Sequence, residues 1–519
     1  MSFSLAFVTS EMLIPELGPV VSPALYRGGL GDLSGHVIEG LVKKGIPTIP
    51  ITYGYPVDWK TGQTVDYRRS PAHFLFDLDV KIHYLSRTVP IFGIARAGTM
   101  AYLINDPEAD VLYPGAVGEK IKQAAFLGKA AAALLEKLGV PDIVWSQEWM
   151  AAATLFPTLK DNPLFANTGY VFTLHTPSRA AMQTFSASWY NGLAIDPKYG
   201  KDYVCGDSVD PTLGCVRLAD RVSAVSEEHG VVSRAMFPNV PIEGIMNGTS
   251  REFFLSPNIR GYPQPNERQL HMAHQADKRE LIDLVRSRLG RAPNLDEPLI
   301  AAVRRLDSYK NQLPMLADYV AAICADRGER VGELRALGAN VIIGGVAHED
   351  NAPCREWMRE FQNWMNDSRL KGRFFYIADY DANLRWKAAA GSDLWLVTPW
   401  PGWEACGTGD FVAKINGNVN IATWSGGIKE HGIEFNPETG TGDTLFIEPY
   451  DPRIMFAKLS RACDWFYQFR DHGDGPWSRL RMNAFTGGRL LDIVPMIEHY
   501  QERIFDPLLK QIAERPAAA

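Results

Sequence analysis

Residues 394–427 read Leu-Trp-Leu-Val-Thr-Pro-Trp-Pro-Gly-Trp-Glu-Ala-Cys-Gly-Thr-Gly-Asp-Phe-Val-Ala-Lys-Ile-Asn-Gly-Asn-Val-Asn-Ile-Ala-Thr-Trp-Ser-Gly-Gly. An apolar run, Leu394 to Val397, ends in a Pro/Gly turn, and a single carboxylate, Glu404, precedes Gly407-Thr408-Gly409. A helical segment follows, then a second short apolar strand from Val419 to Ala422, and Gly426-Gly427 closes the stretch. Strand, glycine turn, helix and strand make a βαβ unit whose turn lies at the carboxyl end of the first strand, where open α/β sheets bind their ligands. Glycines let the backbone approach a ligand closely, and the N–H groups at a helix start favour an anion. Glu404 accordingly reads as a hydroxyl-binding carboxylate beside a phosphate cradle. An ordinary βα turn with a capping acid has the same pattern.

The alternation extends on both sides of this unit. Leu299-Ile-Ala-Ala-Val, Val341-Ile-Ile-Gly-Gly-Val and Arg373-Phe-Phe-Tyr-Ile are apolar runs upstream of it. In the first half, strands over residues 3–9, Thr48 to Ile51, Ile143 to Trp145, Gly169 to Leu174, 221–226 and Ile242 to Met246 alternate with helices such as Leu33 to Lys44 and the Ala-rich Ile121 to Leu138. Strands alternating with helices predict parallel sheets, so the fold class is α/β with two doubly wound, Rossmann-like domains. Residues 57–115 interrupt the rhythm with short strands. The Pro- and Gly-rich segment Ser256 to Asn266 and the charged amphipathic helix from Gln269 mark the boundary. The predicted layout is an N-terminal domain over 1–255, a linker and helix over 256–297, a second Rossmann-like domain over 298–480, and C-terminal helices over 481–519 that pack back on the first domain.

Composition excludes several classes of function. Of 519 residues 46% are hydrophobic, enough for large cores. A net charge of −7 without a basic run argues against nucleic acid. The six cysteines (205, 215, 324, 354, 406, 463) form neither CxxC pairs nor a zinc spacing, so reduced thiols and no metal are expected. No apolar stretch reaches the ~20 residues that span a bilayer, and the N-terminus lacks the basic start of a signal peptide. A cytoplasmic protein without a membrane partner is the expectation, and a homo-oligomer is compatible with it.

Further motifs sit at predicted strand ends: Tyr26-Arg27-Gly28-Gly29-Leu30-Gly31-Asp32, Ser146-Gln147-Glu148-Trp149, His175-Thr176 and Met246-Asn247-Gly248. The glycine loop does not match GxGxxG, so no dinucleotide is implied. With Thr9-Ser10-Glu11-Met12 and the segment Ala219 to Ser226, these motifs resemble, in order and spacing, those of bacterial glycogen and starch synthases. The second half resembles α-glucan phosphorylases. Val303-Arg304-Arg305-Leu306-Asp307-Ser308-Tyr309-Lys310-Asn311-Gln312-Leu313 is similar to their phosphate-binding segment, and Glu404 to Asp410 with Asn416-Gly417 to their glucose-binding segment. Both families are GT-B glycosyltransferases, so the resemblance implies two Rossmann-like domains facing a cleft, the first on the acceptor side and the second binding the donor.

That resemblance implies a retaining α-glucosyltransferase taking glucose from a nucleotide-activated donor and elongating or forming an α-glucan or glucoside. The alternative is a phosphorylase-type enzyme acting on an α-glucan or oligosaccharide with inorganic phosphate; a third, of another class, is a non-catalytic glucan-binding protein. Arg305 and Lys310 would be fixed cations at the leaving phosphate, stabilising its charge more in the transition state than in the ground state. Glu404 would hold sugar hydroxyls, with the turn Cys406, Gly407, Thr408 and Gly409 beside the sugar or phosphate. His175 would contact the reacting sugar, Asn247 the sugar, Glu148 the acceptor path, and Tyr309 the phosphate or a base. Gly28 and Gly29 would line the donor phosphate, positioned by Asp32 as the cap of the first helix. Each has an ordinary structural counterpart: a solvated basic helix start, a histidine satisfied by the core, an Asn-Gly turn, a strand-end turn.

Two departures from the families matter. Synthases open the glycine loop with a lysine, where Tyr26-Arg27 stand here, and Arg and Lys are not equivalent at such sites. Phosphorylases hold pyridoxal phosphate on a lysine eight residues after the glutamate, a position that is Val412 here. Lys414 lies two residues on, roughly 200° around a helix. Neither pyridoxal phosphate nor another cofactor is therefore expected.

Overall fold

Runs such as Leu5-Ala-Phe-Val and Leu394-Trp-Leu-Val have no polar face to offer water, so they fold as strands buried on both sides. The computed structural model describes residues 3–82, 85–178, 182–347 and 351–515. The chain divides into two compact units, one built from the residues up to Ser250 together with those from Ile493 onward, the other from Arg251–Asp492.

The first unit's main sheet holds β1 (Leu5–Val8), β2 (Thr48–Tyr53), β3 (His73–Ile82), β4 (Leu85–Arg96), β5 (Thr99–Ile104), β6 (Ile143–Gln147), β7 (Gly169–Leu174), β8 (Arg221–Ala224) and β9 (Ile242–Gly244). Among the described residues they lie in the order β9-β8-β7-β6-β1-β2-β5-β4-β3. β1 pairs in parallel with both β2 and β6, so the sheet changes winding direction there. The irregular 57–115 region is absorbed into the same sheet: β5 runs parallel to β2, and β4 and β3 follow antiparallel.

Residues from Ile493 onward complete this unit. Tyr500 sets its ring 4.4 Å from that of Trp145 on β6, and its hydroxyl meets Ser223 Oγ on β8 at 2.9 Å. Helix Ile493–Tyr500 lies so close to helix Gly29–Lys43 that a Cβ at Gly40 would come within 2.7 Å of Ile497 Cγ1, so only glycine fits there. Helix Pro476–Gly487, whose later part falls in the segment predicted to return to the first domain, belongs instead to the second unit, because Trp477 and Leu480 bury their side chains in that core. Residues 516–519 lie outside the described residues.

The second unit's sheet holds β10 (Leu299–Val303), β11 (Asn340–Gly344), β12 (Phe374–Ile377), β13 (Leu394–Val397), β14 (Val419–Thr423) and β15 (Thr444–Ile447). All are parallel, in the order β12-β11-β10-β13-β14-β15, with the switch between β10 and β13. Residues 256–297, which the sequence presents as a linker and helix, fall inside this unit. Helix Glu267–Leu289 opens with a capping box, Asn266 Oδ1 accepting from Gln269 N (2.9 Å) and Gln269 Oε1 from Asn266 N (3.0 Å), and closes on Gly290 in the left-handed region. Its His274 and Lys278 reach the buried Asp393 carboxylate, at 3.0 and 2.7 Å. A buried acid with two partners on one helix binds that helix to the sheet. No helix among the described residues is long and apolar enough to cross a membrane.

Candidate active site

The switch point of the second sheet gathers two loops, one after β10 and one after β13. Thr398 Oγ1 donates to Lys310 O at 2.9 Å and Trp400 N donates to Tyr309 O at 2.8 Å, lacing them together. Lys310 Nζ thereby reaches Glu404 Oε2 at 2.9 Å, with side chains only 12% and 16% exposed. Arg304 stands 3.8 Å from the same carboxylate oxygen and donates to Leu396 O at 2.7 Å. Burial alone would raise the Glu404 carboxyl, but Lys310 and then Arg304 outweigh it and hold the group below the ordinary carboxylate value. The same carboxylate overcomes the burial of Lys310 and raises its amine. Lys310 also lies 5.0 Å from the centre of the Tyr309 ring.

The structure thus brings together Lys310, Glu404 and Tyr309 among the residues singled out from sequence, and adds Arg304. Arg305 is half-exposed, with its guanidinium 3.6 Å from Asp307, and acts on Glu404 only as a weaker, more distant positive charge. The turn Cys406-Gly407-Thr408 leads into helix Gly409–Ile415 and is partly exposed. The backbone approach that demands glycine comes from the neighbouring loop after β14: Gly426 has φ +66, and a Cβ there would sit 2.2 Å from Glu404 O. Val412 is buried in the apolar core, while Lys414 buries its amine 2.8 Å from Asp443 and donates to His431 O.

In the first unit the remaining residues line the carboxyl edge of the sheet. Glu148, directly after β6 with φ +56, accepts from His175 N (2.8 Å) and Thr176 Oγ1 (3.2 Å) after β7. Burial pushes its carboxyl above the ordinary range although these hydrogen bonds oppose it. His175 Nε2 lies 2.8 Å from Gln147 Oε1. Asn247 is buried after β9, its backbone N–H donating to Val225 O. Gly28 and Gly29 are where the first helix begins, but Asp32 is not its cap: extended Gly28 is the N-cap, and Asp32 lies one turn inside, buried. Arg27 stacks 4.6 Å over the Trp59 ring, and its backbone N–H donates to Glu11 Oε2 at 2.8 Å. Glu11 also accepts from Tyr113 OH at 2.6 Å. Sequence reasoning quoted Glu11 only within a motif and missed Tyr113, which comes from a distant loop with no pattern of its own.

Behind His175, Val225 N–H donates to His229 Nδ1 (3.2 Å) and His229 Nε2 faces Thr176 O (3.1 Å), a pattern that fits the neutral imidazole protonated on Nε2. Burial, then neighbouring His229, pulls the His175 imidazole down to about 3, and burial pulls His229 to about 4. Both values lie below the ordinary value near 6.5, so as pH falls through about 6.5 the unfolded chain binds protons that the folded chain does not. Stability is therefore lost progressively from about pH 6.5 toward 4. Thermal melts across that window give a falling Tm, with a shallower slope for the His175→Asn/His229→Asn double variant. Among the described residues no group of three or more His, Cys, Asp or Glu side chains is placed to hold a metal ion.

Comparison with known proteins yields both halves of this picture. The model of the starch synthase catalytic domain family matches residues 4–231. A maltodextrin phosphorylase of Thermococcus litoralis is 26% identical over 80% of this chain, which spans 60% of that enzyme's length. A glycogen synthase of Thermotoga petrophila is 23% identical, over 90% of this chain and 93% of the relative. The solved catalytic domain of starch synthase IV from Arabidopsis thaliana, bound to ADP and acarbose, shares the fold with a TM-score of 0.75, covering 99% of this chain and 100% of that one at 19% identity. The chain is thus similar over most of its length both to glycogen and starch synthases and to α-glucan phosphorylases, its residues 4–231 match the starch synthase catalytic domain family, and it shares the two-domain fold of a starch synthase.

Proposed function

We propose that this chain is a retaining α-glucosyltransferase that moves glucose from a nucleotide-activated donor to an α-glucan or glucoside acceptor. The observation behind this function is the buried cluster of Lys310, Arg304 and Glu404 at the switch point of the second sheet. A carboxylate between two cations offers an acceptor for sugar hydroxyls directly beside positive charge for a phosphate. In the transfer the bond from the anomeric carbon to the diphosphate oxygen breaks, and the acceptor hydroxyl bonds to that carbon on the same face. The acceptor's proton leaves with the departing phosphate. Lys310 sits fixed where negative charge grows, with Arg305 at the rim as a second cation, so stabilisation is greater in the transition state.

A phosphorylase-type reaction with inorganic phosphate is the second reading, favoured by the phosphorylase-like second half and its relative at 26% identity. In either direction this chain works without pyridoxal phosphate. Val412 occupies the lysine position within the apolar core, and the Lys414 amine is committed to Asp443. A ligand that binds only the native state raises its melting temperature. ADP-glucose or UDP-glucose is expected to raise the Tm of the wild type and to leave Glu404→Ala unchanged. A shift with phosphate or glucose 1-phosphate alone selects the phosphorylase direction, and silence from every ligand selects a non-catalytic glucan binder.

A further inference from the structure

Three tryptophans in the loops around Glu404 are turned outward. Trp400, Trp403 and Trp424 are 41%, 39% and 47% exposed, although indole is the largest apolar surface a chain can withhold from water. A single exposed aromatic needs no explanation, but three on two loops joined by a hydrogen bond concentrate aromatic surface there. Trp400 and Trp403 stand edge to face, ring centres 5.8 Å apart and planes at 85°. Trp424 follows β14 directly, with Lys429 Nζ 5.1 Å from its ring centre and Phe446 beside it, and the two loops are tied next to it by Gly402 N donating to Ser425 Oγ at 2.6 Å. Trp403 is the residue immediately before Glu404, and Trp400 N donates to Tyr309 O at 2.8 Å, so the loop that carries these two indoles also builds the candidate site.

The geometry points to a saccharide-stacking platform on these three indoles that takes an α-glucan chain. A pyranose ring presents an apolar face of C–H bonds to an aromatic ring while its hydroxyls stay in water. A nucleobase needs one flat stacking face, whereas three indoles, two of them crossed at 85°, offer separate faces along a surface, which suits a polymer of repeating rings. This platform rests on the glucan reading of the proposed function and assigns the second unit a part in holding the polymer as well as the donor.

The test is binding of maltoheptaose, followed by tryptophan fluorescence and calorimetry, to the wild type and to Trp400→Ala/Trp403→Ala/Trp424→Ala, with ADP-glucose and UDP-glucose thermal shifts measured in parallel. The expected result is at least a tenfold loss of maltoheptaose affinity in the triple variant, with the nucleotide-sugar shift retained. That retained shift also shows that the variant is folded. Equal maltoheptaose affinity in both proteins overturns the platform, and so does loss of the nucleotide-sugar response alone, which would make the patch a base-stacking surface. A wild type that answers to a nucleotide sugar but binds no maltoheptaose overturns the platform while leaving sugar transfer standing. A wild type that answers to neither overturns both.

Discussion

Replacing Lys310 by methionine lowers turnover of the transferase by about 10²–10³-fold, the scale of loss when one fixed donor is removed from a developing oxyanion. Methionine keeps much of the stem's volume, so the loss reports the charge. The effect extends to the partner: Glu404 keeps only the cations of Arg304 and Arg305 against its burial, so its carboxyl rises. The acid limb of the pH–rate profile accordingly moves to higher pH in Lys310→Met. Lys310→Arg recovers part of the rate, because the charge returns on a fork with different reach. Glu404→Gln and Lys310→Met share one contact, so the double variant loses less than the sum of the two in free energy. Initial rates at saturating donor and acceptor measure all four, and an unaltered turnover in Lys310→Met removes the lysine from the mechanism.

Asp393→Ala lowers the unfolding free energy by about 3–5 kcal/mol, the usual result of removing one partner from a buried ion pair. Its carboxylate accepts from Lys278 Nζ at 2.7 Å, His274 Nε2 at 3.0 Å and Leu299 N at 2.9 Å. Burial would raise this acid, yet Lys278 and His274 outweigh burial and hold it well below the carboxylate range. Its contribution is thus complete above the ordinary carboxylate value near pH 4 and fades only as pH falls toward the depressed one. Truncation leaves the Lys278 ammonium buried without its carboxylate. Asp393→Asn keeps an acceptor for the Leu299 N–H and falls between the two. Urea melts followed by circular dichroism give the order wild type, Asn, Ala; coincident curves for wild type and Ala contradict it.

The parts of this molecule legible in the sequence are those written in apolar side chains. Strands such as Ile300 to Val303 and Leu394 to Val397 announced themselves because a parallel sheet covered on both sides tolerates no polar alternation. The glycine turn after Leu394 to Val397 reads as the carboxyl end of a strand, and the strand order then puts that end beside the switch between β10 and β13. Buried charge is invisible to the same reading. Helix Glu267–Leu289 looks like a solvated linker because its inward face carries His274 and Lys278, whose partner Asp393 lies far along the chain, and Asp277, which is held by Ser256 and Asn258. Two adjacent arginines leave a strand end with no local rule for choosing between them, and it is Arg304, not Arg305, that turns to Glu404. Asp32 reads as the cap of the first helix, but the helix already starts at Gly29 behind an extended Gly28 that supplies no side-chain cap, a start with no polar signal in the sequence.

The return of residues from Ile493 onward to the first unit has a consequence for synthesis. During translation the first 250 residues emerge well before the segment that covers Trp145, Gly40 and Gly169. Domains ordinarily fold in the order in which they leave the ribosome. Here the second unit has all its strands in one uninterrupted segment and can close first, while the first unit waits with an open apolar seam until Tyr500 and Leu508 arrive. The stretch from Ile493 onward is a keystone, and the newborn chain is more exposed to aggregation in the interval before it is set.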